Sequence, residues 1–131
     1  SDYGVRDDVQ KMAYVEEKIK VVEVETVTLD SFCADLSIVP DFVKIDIEGA
    51  ELLALNGMQS LLRDHSPMMM IEITEHWERV STMLETLGYQ LLNVKGRPIN
   101  SQSHQNHHGN TFCLHTVKHE KYLASLTLTK A

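Results

Sequence analysis

The segment "FVKIDIEGAELLALNG", residues Phe42–Gly57, predicts a strand followed directly by a helix. Its first six residues, Phe42–Ile47, form an apolar run rich in β-branched side chains, which is typical of a strand covered on both faces in a parallel sheet. Gly49 then opens a run in which apolar residues recur at helical spacing. Two carboxylates, Asp46 and Glu48, stand at the junction of these two elements.

The flanking sequence continues this alternation of strands and helices. Downstream, "SPMMMIEI" and "YQLLNV" predict two core strands, and "EHWERVSTMLETLG" between them predicts a helix with Gly88 as its cap. "TFCLHTV" predicts the last strand, and "KHEKYLASLTL" a short closing helix. Upstream, alternating Val and Glu predict a half-exposed strand over Lys20–Leu29, with a bend near Thr26. The succession predicts an α/β fold whose sheet is mainly parallel with an antiparallel final strand, and whose helices cover both faces.

Composition narrows the class of protein. The chain has 131 residues, 43% of them hydrophobic, which suits one domain: a lead-in, residues 1–19, and an α/β unit, residues 20–131. The 12 Lys and Arg against 19 Asp and Glu give a net charge of −7, which disfavours nucleic acid as a partner. The longest apolar run, Met68–Ile71, is too short for a membrane span, and we expect a cytoplasmic protein. Cys33 and Cys113 are expected to be buried free thiols.

Polar and acidic side chains cluster where two predicted strands end. They are Asp46 and Glu48 after the first strand, then Glu72, Glu75 and His76 after the next. Because open α/β sheets bind ligands outside the carboxyl ends of their strands, we expect the two groups to be neighbours. A simpler interpretation is that Glu48 and Glu51 only complement the dipole of the following helix. It suits Asp46 less well, because an acid inside a buried run costs more than a dipole contact of roughly 0.3–1 kcal/mol offsets.

Four of these segments together resemble the FkbM-type methyltransferases. They are "VTLDSF", "VKIDIEGAELLALNGMQSLL", "PMMMIEITEH" and "LGYQLL", in the order expected for that family. The resemblance covers Val24 to about Val117 and implies a Rossmann-like sheet, in which the strands ending near Asp46, Glu72, Val94 and Val117 are the fourth to seventh. It also implies S-adenosylmethionine as the cofactor and a hydroxyl group of a sugar or small metabolite as the acceptor.

The resemblance also implies roles for the strand-end residues. Asp46 or His76 would remove or steer the proton of the acceptor hydroxyl. Glu48, Glu72, Glu75 and His76 would shape the acceptor pocket. As an alternative, Glu48, Glu72 and His76 would share a divalent ion with Asp46.

A polar loop, "SHQNHHGN", offers a second candidate for metal binding. Its histidines are His104, His107 and His108, a spacing that suits a soft divalent metal. Because no second set of ligands follows at fixed spacing, solvated side chains are the simpler interpretation, and we predict no metal site.

The chain departs from the family on the cofactor side. Methyltransferases of this kind hold the methionine part of the cofactor on a glycine-rich turn, since only glycine lets the backbone come so close to a ligand. Here no two glycines are closer than eight residues, and the acid that would bind the ribose is also missing. The sequence therefore predicts the carboxyl-terminal half of a methyltransferase domain, truncated on its cofactor side, with weak or no binding of S-adenosylmethionine.

A different class of function stays open beside the enzyme. The chain could be a non-catalytic α/β module that associates through its sheet, because a fold alone does not imply a reaction. Without the first half of the sheet, Phe42–Ile47 would expose an edge with unpaired amides. We predict a homodimer through this edge, unless the strand Lys20–Leu29 folds over it.

Overall fold

The computed structural model describes residues 18–103 and 109–129, and within them the chain forms five helices and five strands. They are α1 (Leu29–Leu36), β1 (Phe42–Ile45), α2 (Glu51–Asn56), α3 (Gln59–Asp64), β2 (Met68–Glu72), α4 (Trp77–Thr86), β3 (Tyr89–Leu92), β4 (Pro98–Ile99), β5 (Asn110–His115) and α5 (Glu120–Thr129). The α/β class is confirmed. The predicted lead-in lies almost wholly outside the described residues.

The five strands form one mixed sheet in the order β1-β2-β5-β3-β4. Only β1 and β2 pair in parallel; the other three pairings are antiparallel, so the prediction of a mainly parallel sheet is wrong. The reason is that β5 enters between β2 and β3 from the opposite direction. It turns what would be one parallel pairing into two antiparallel ones, although β1, β2 and β3 still point the same way.

The core lies between one face of this sheet and the first four helices. The strand register places Val43, Met69, Cys113, Leu91 and Ile99 in one row across that face. Met69, Cys113 and Leu91 are fully buried there, and they pack with apolar residues of α1 to α4 in one cluster. This row belongs to the hydrophobic layer that packs β1 and β2 against the helices.

The opposite face of the sheet is covered by α5. A cavity of about 640 Å³ lies between them, lined by Met68 and Phe112 from the strands and by Tyr122 and Leu126 from the helix. Helices therefore lie on both faces, as predicted. No helix within the described residues is both long and apolar enough to cross a membrane.

The single helix predicted after Gly49 is in fact two helices. They are separated at Gly57, where an added Cβ atom would lie 3.3 Å from the Cβ of Thr28. The Asp30 carboxylate accepts hydrogen bonds from the backbone N–H groups of Ser60 and Leu61, at 2.9 and 3.0 Å, and so caps α3. The break thus lets the start of α1 pack against the start of α3.

The strand predicted over Lys20–Leu29 does not form. Residues 19–28 have no regular structure and are exposed, with Val21 at 93%. Alternation of Val and Glu favours a strand only where a neighbouring strand accepts its hydrogen bonds, and within the described residues none does. Thr28 instead caps α1, because its hydroxyl accepts the Ser31 N–H at 3.1 Å.

The structure also corrects the environment predicted for β1. We expected a strand covered on both faces, yet Phe42 is 49% exposed and Lys44 is exposed as well. β1 lies at the edge of the sheet with β2 as its one strand neighbour among the described residues. Cys33 and Cys113 are free and buried, which confirms the prediction for the thiols.

Candidate functional site

The carboxyl ends of β1 and β2 bring the two predicted acidic groups together. Ile45 is the register partner of Ile71, so Asp46 and Glu72, the next residues, hold equivalent positions on adjacent parallel strands. Both side chains therefore project to the same face of the sheet. The predicted neighbourhood of the two groups is confirmed for this pair.

The charges at these strand ends act on each other. A hydrogen bond with Asp46 raises the pKa of Glu72, and the negative charges of Asp46 and Glu48 and partial desolvation raise it further. Lys44 opposes this rise, and its Nζ atom lies 3.8 Å from Oδ2 of Asp46. The rise in the pKa of Glu72 is thus caused by its acidic neighbours at the two strand ends.

Two consecutive left-handed residues turn the chain after β1. Glu48 has φ 51° and Gly49 has φ 101°, a conformation that glycine adopts without a steric penalty. The Glu75 carboxyl packs against Gly49, with its Cδ atom only 3.0 Å from where a Cβ atom would lie. Oε2 of Glu75 also lies 3.7 Å from Nε2 of His76. The loop after β2 therefore contacts the loop after β1 at a position where the positive φ would strain any other residue.

Glu51 has a different environment from the one predicted. It is fully buried, and its Oε1 atom accepts the Gly49 N–H at 2.9 Å and the Thr74 hydroxyl at 3.4 Å. Oε2 has no hydrogen-bond partner among the described residues. A dipole contact at an exposed helix start does not describe this residue, because its side chain joins both strand-end loops.

Asp46 also differs from the prediction in its environment. β1 ends at Ile45, so Asp46 lies just beyond the strand, and its side chain is 41% exposed. The argument that a buried acid needs a compensating function is therefore wrong for this residue. What sets Asp46 apart is its position beside Glu72, and Glu48 is likewise exposed.

His76 begins the next helix at the edge of a separate cleft. It is the N-cap of α4, with φ 56°, and it lines a cleft of about 380 Å³ together with Trp77, Arg79 and Ser101. The structure connects His76 to the acidic group through Glu75.

The metal candidates receive no support from the structure. Histidines 104, 107 and 108 lie outside the described residues. Among those that are described, no three His, Cys, Asp or Glu side chains are grouped so that they could hold a metal ion.

Sequence reasoning missed the contribution of Glu51 and Thr74 to this site. An acid in the first turn of a helix is common and is explained by the helix dipole. The residue type alone therefore did not indicate that Glu51 is buried at this site. Only the sheet pairing brings Thr74, 23 positions away in sequence, to the same carboxylate.

The family of the chain follows from a comparison with protein-family models. The model described as the methyltransferase FkbM domain matches residues 4–109. The chain belongs to the FkbM methyltransferase domain family. The match begins upstream of the resemblance we expected from Val24 and ends before Val117. Neither a curated protein nor a solved structure matches the chain.

Methyltransferase families suggest S-adenosylmethionine as the cofactor, and the described residues can be tested for a cradle that would hold it. Four glycines adopt positive φ, in four separate turns: Gly49, Gly88, Gly96 and Gly109. The space over Gly49 is filled by Glu75, and an added Cβ at Gly88 would lie 2.7 Å from the His115 ring. The described residues thus form no glycine-rich cradle for this cofactor.

Proposed function

We propose that this FkbM domain provides the acceptor side of S-adenosylmethionine-dependent O-methyl transfer to a hydroxyl group of a sugar or small polyol. The observation that carries the proposal is that Asp46 and Glu72 follow register partners and so lie side by side at the ends of two adjacent parallel strands. Family membership supports the reaction class, and the strand ends are where open α/β sheets bind their ligands.

Asp46 is the proposed base in this reaction. It lies just beyond β1, beside Glu72 on the neighbouring strand. Asp46 is also open to solvent on one side, where a substrate hydroxyl can reach it. The carboxylate takes the hydroxyl proton as the oxygen becomes the nucleophile. His76 is the alternative base.

The surrounding charges favour a neutral acceptor. Glu48, Glu72 and Glu75 surround Asp46 and Gly49, and Lys44 is the cation that lies close to them. Carboxylates accept hydrogen bonds from hydroxyl donors and repel phosphate or carboxylate groups. We therefore assign Glu48, Glu72 and Glu75 to orienting the hydroxyls of an uncharged polyol.

Acceptor binding can be tested on the chain by itself. We expect neutral hexoses and polyols at millimolar concentration to shift the backbone amide signals of residues 46–49 and 72–76 in NMR spectra. A matched sugar phosphate should shift them much less, and Asp46→Asn should weaken the polyol effect. Shifts confined to the apolar cavity near Phe112, or none at all, would contradict the proposal.

One observation favours a second function from another class. β1 has a strand neighbour on one side only among the described residues, which suits a non-catalytic module that associates through its sheet. In that case the polyol titration would give no shifts at the strand ends, while association through β1 would persist.

A further inference from the structure

The turn between β5 and α5 is closed by two histidine side chains. The Nδ1 atom of His119 accepts the His115 N–H at 2.7 Å. The Nδ1 atom of His115 in turn accepts the N–H groups of Val117 and Lys118, each at 3.3 Å. An imidazole nitrogen accepts a hydrogen bond only while it carries no proton. Both rings must therefore be neutral when these hydrogen bonds form.

The surroundings of His119 disfavour its protonated form. The side chain is buried, and burial, followed by the charges of Lys118 and His115, lowers its pKa. The Nζ atom of Lys118 donates to the His65 carbonyl, which keeps this positive charge beside the turn. A proton on His119 would therefore be added to a buried site that already faces a cation.

The His115 ring is enclosed by β3 and by the residue before it. An added Cβ atom at Gly88 would lie 2.7 Å from the Nε2 atom of His115. The Tyr89 ring meets the same imidazole edge-on, with 5.6 Å between the ring centres. Burial raises the pKa of Tyr89, so this neighbour stays uncharged and offers no negative charge to a protonated ring.

The position of α5 depends on this turn, because little of the helix itself is buried. From Glu120 to Leu126 no described side chain is buried, and Tyr122 is 62% exposed. The cavity of about 640 Å³ separates the helix from the sheet along this stretch. A helix of 10 residues is marginal in water without tertiary contacts, so α5 should lose its structure once it leaves the sheet.

We propose that His115 and His119 form a pH-sensitive latch, which holds α5 against the sheet while both rings are neutral and releases it when a ring gains a proton. Protonation replaces the acceptor with an N–H group that faces another N–H group, so the hydrogen bond is lost. Release opens the cavity beneath α5 to water. The latch is independent of the proposed methyl transfer, since β5 places it at the opposite end of the sheet from Glu72.

The direction of the shift sets the pH range of the latch. Because the pKa of His119 in the folded state lies below the ordinary value of 6.5, its contribution to stability is complete above that value. The contribution is lost as pH falls through the lowered pKa. Release of α5 is therefore expected in mildly acidic solution and not at neutral pH.

The test is hydrogen–deuterium exchange of backbone amides at about pH 7.5 and about pH 5, corrected for the intrinsic pH dependence of exchange. Protection of residues 123–126 should fall about tenfold or more at the lower pH, while protection of α4 changes much less. The double variant His115→Asn, His119→Asn supplies acceptors that do not titrate and should keep α5 protected at both pH values. His119→Ala supplies no acceptor and should leave α5 poorly protected at both. His65→Asn replaces an exposed histidine outside the turn and should keep the wild-type response.

Several outcomes would overturn the proposal. One is wild-type protection of α5 that is the same at both pH values. Another is an equal loss of protection in α4 and α5, which would mean that the whole fold opens. A folded double variant that still releases α5 at low pH would exclude the two histidines. Titration of the imidazole signals by NMR gives an independent result, and a midpoint for His119 above its ordinary value of 6.5 would also contradict the latch.

Discussion

The carboxylate of Glu51 joins the two loops that carry the strand-end residues. It accepts the Gly49 N–H from the loop after β1 and the Thr74 hydroxyl from the loop after β2. Its full burial means that both bonds are shielded from water, where they are worth more than at the surface. The relative positions of Asp46 and Glu72 therefore depend on a side chain that need not touch the substrate.

Replacing Glu51 tests this structural role. Glu51→Ala should lower the free energy of unfolding by about 2–3 kcal/mol, because it leaves the Gly49 N–H unpaired and opens a cavity. Glu51→Gln keeps an acceptor oxygen and should cost less. Urea denaturation measures both, with Glu78→Ala as the control, since Glu78 is an exposed acid in the first turn of α4. Equal losses for Glu51→Ala and Glu78→Ala would restore the dipole interpretation.

Glu72 should make stability depend on pH. Its pKa is raised in the folded state above the ordinary value of 4.5, so its contribution to stability is present below that value and is lost as pH rises through the raised pKa. Glu72→Gln removes this loss. Thermal denaturation should show the variant more stable than the wild type at neutral pH, with the difference vanishing at or below about pH 4.5.

A control substitution tests whether the pH dependence of stability comes from Glu72 and Asp46. Glu120→Gln, on α5 and away from the strand ends, should keep the wild-type profile. If Glu72→Gln and the wild type differ by a constant amount at every pH, then repulsion between Glu72 and Asp46 is absent.

At the scale of elements, Asp30 connects the start of α1 to the start of α3. Its two carboxylate oxygens accept the N–H groups of Ser60 and Leu61, and its own N–H donates to the Gly57 carbonyl at 3.0 Å. This contact explains why the helix after Gly49 is interrupted. The second helix begins where an acid from elsewhere in the chain can cap it.

Removing this cap should destabilise the fold measurably. Asp30→Ala leaves two N–H groups at the start of α3 without their acceptor and should cost about 1–2 kcal/mol in chemical denaturation. Asp35→Ala changes an exposed acid on the same helix and should cost less than about 0.5 kcal/mol. Similar losses for both substitutions would show that Asp30 contributes only its charge to α1.

The elements with a local sequence signal were predictable, and those that depend on distant partners were not. The strands β2, β3 and β5 and the helix α4 follow from apolar periodicity and from Gly88 at the end of α4. The short β4 inside a polar loop has no such signal, since Pro98–Ile99 pairs only because β3 lies beside it. Likewise, Val and Glu alternate in residues 19–28, but no strand among the described residues pairs with this segment.

In the candidate site, too, some features had a local sequence signal and others depended on distant partners. That Asp46 and Glu72 would meet followed from the rule that parallel strand ends share one edge of a sheet. That Asp46 would be exposed did not follow, because exposure of β1 depends on which strands flank it. Burial of Glu51 depended on Thr74, which becomes a neighbour only once β1 and β2 pair.

At the scale of the whole molecule, the carboxylates and the positive-φ glycines occupy different parts of the described residues. The carboxylates meet at the strand ends, where we propose that the acceptor binds, while the glycines lie in separate turns and do not form a cofactor cradle. We therefore expect calorimetric titration with S-adenosylmethionine to show weak or no binding to this chain. One-to-one binding in the low micromolar range would show that residues outside the described ranges hold the cofactor.

The most direct measurement of the central claim is methyl transfer by an Asp46→Asn variant. The assay uses the protein at its full natural length, with S-adenosylmethionine and the polyol that shifts the strand-end signals. Asp46→Asn should lower the transfer rate by roughly 10²–10⁴-fold with the melting temperature nearly unchanged, because the base is lost and the shape is kept. Glu120→Gln should keep the full rate. An Asp46→Asn variant that retains full turnover but melts at a clearly lower temperature would contradict the account and leave His76 as the base.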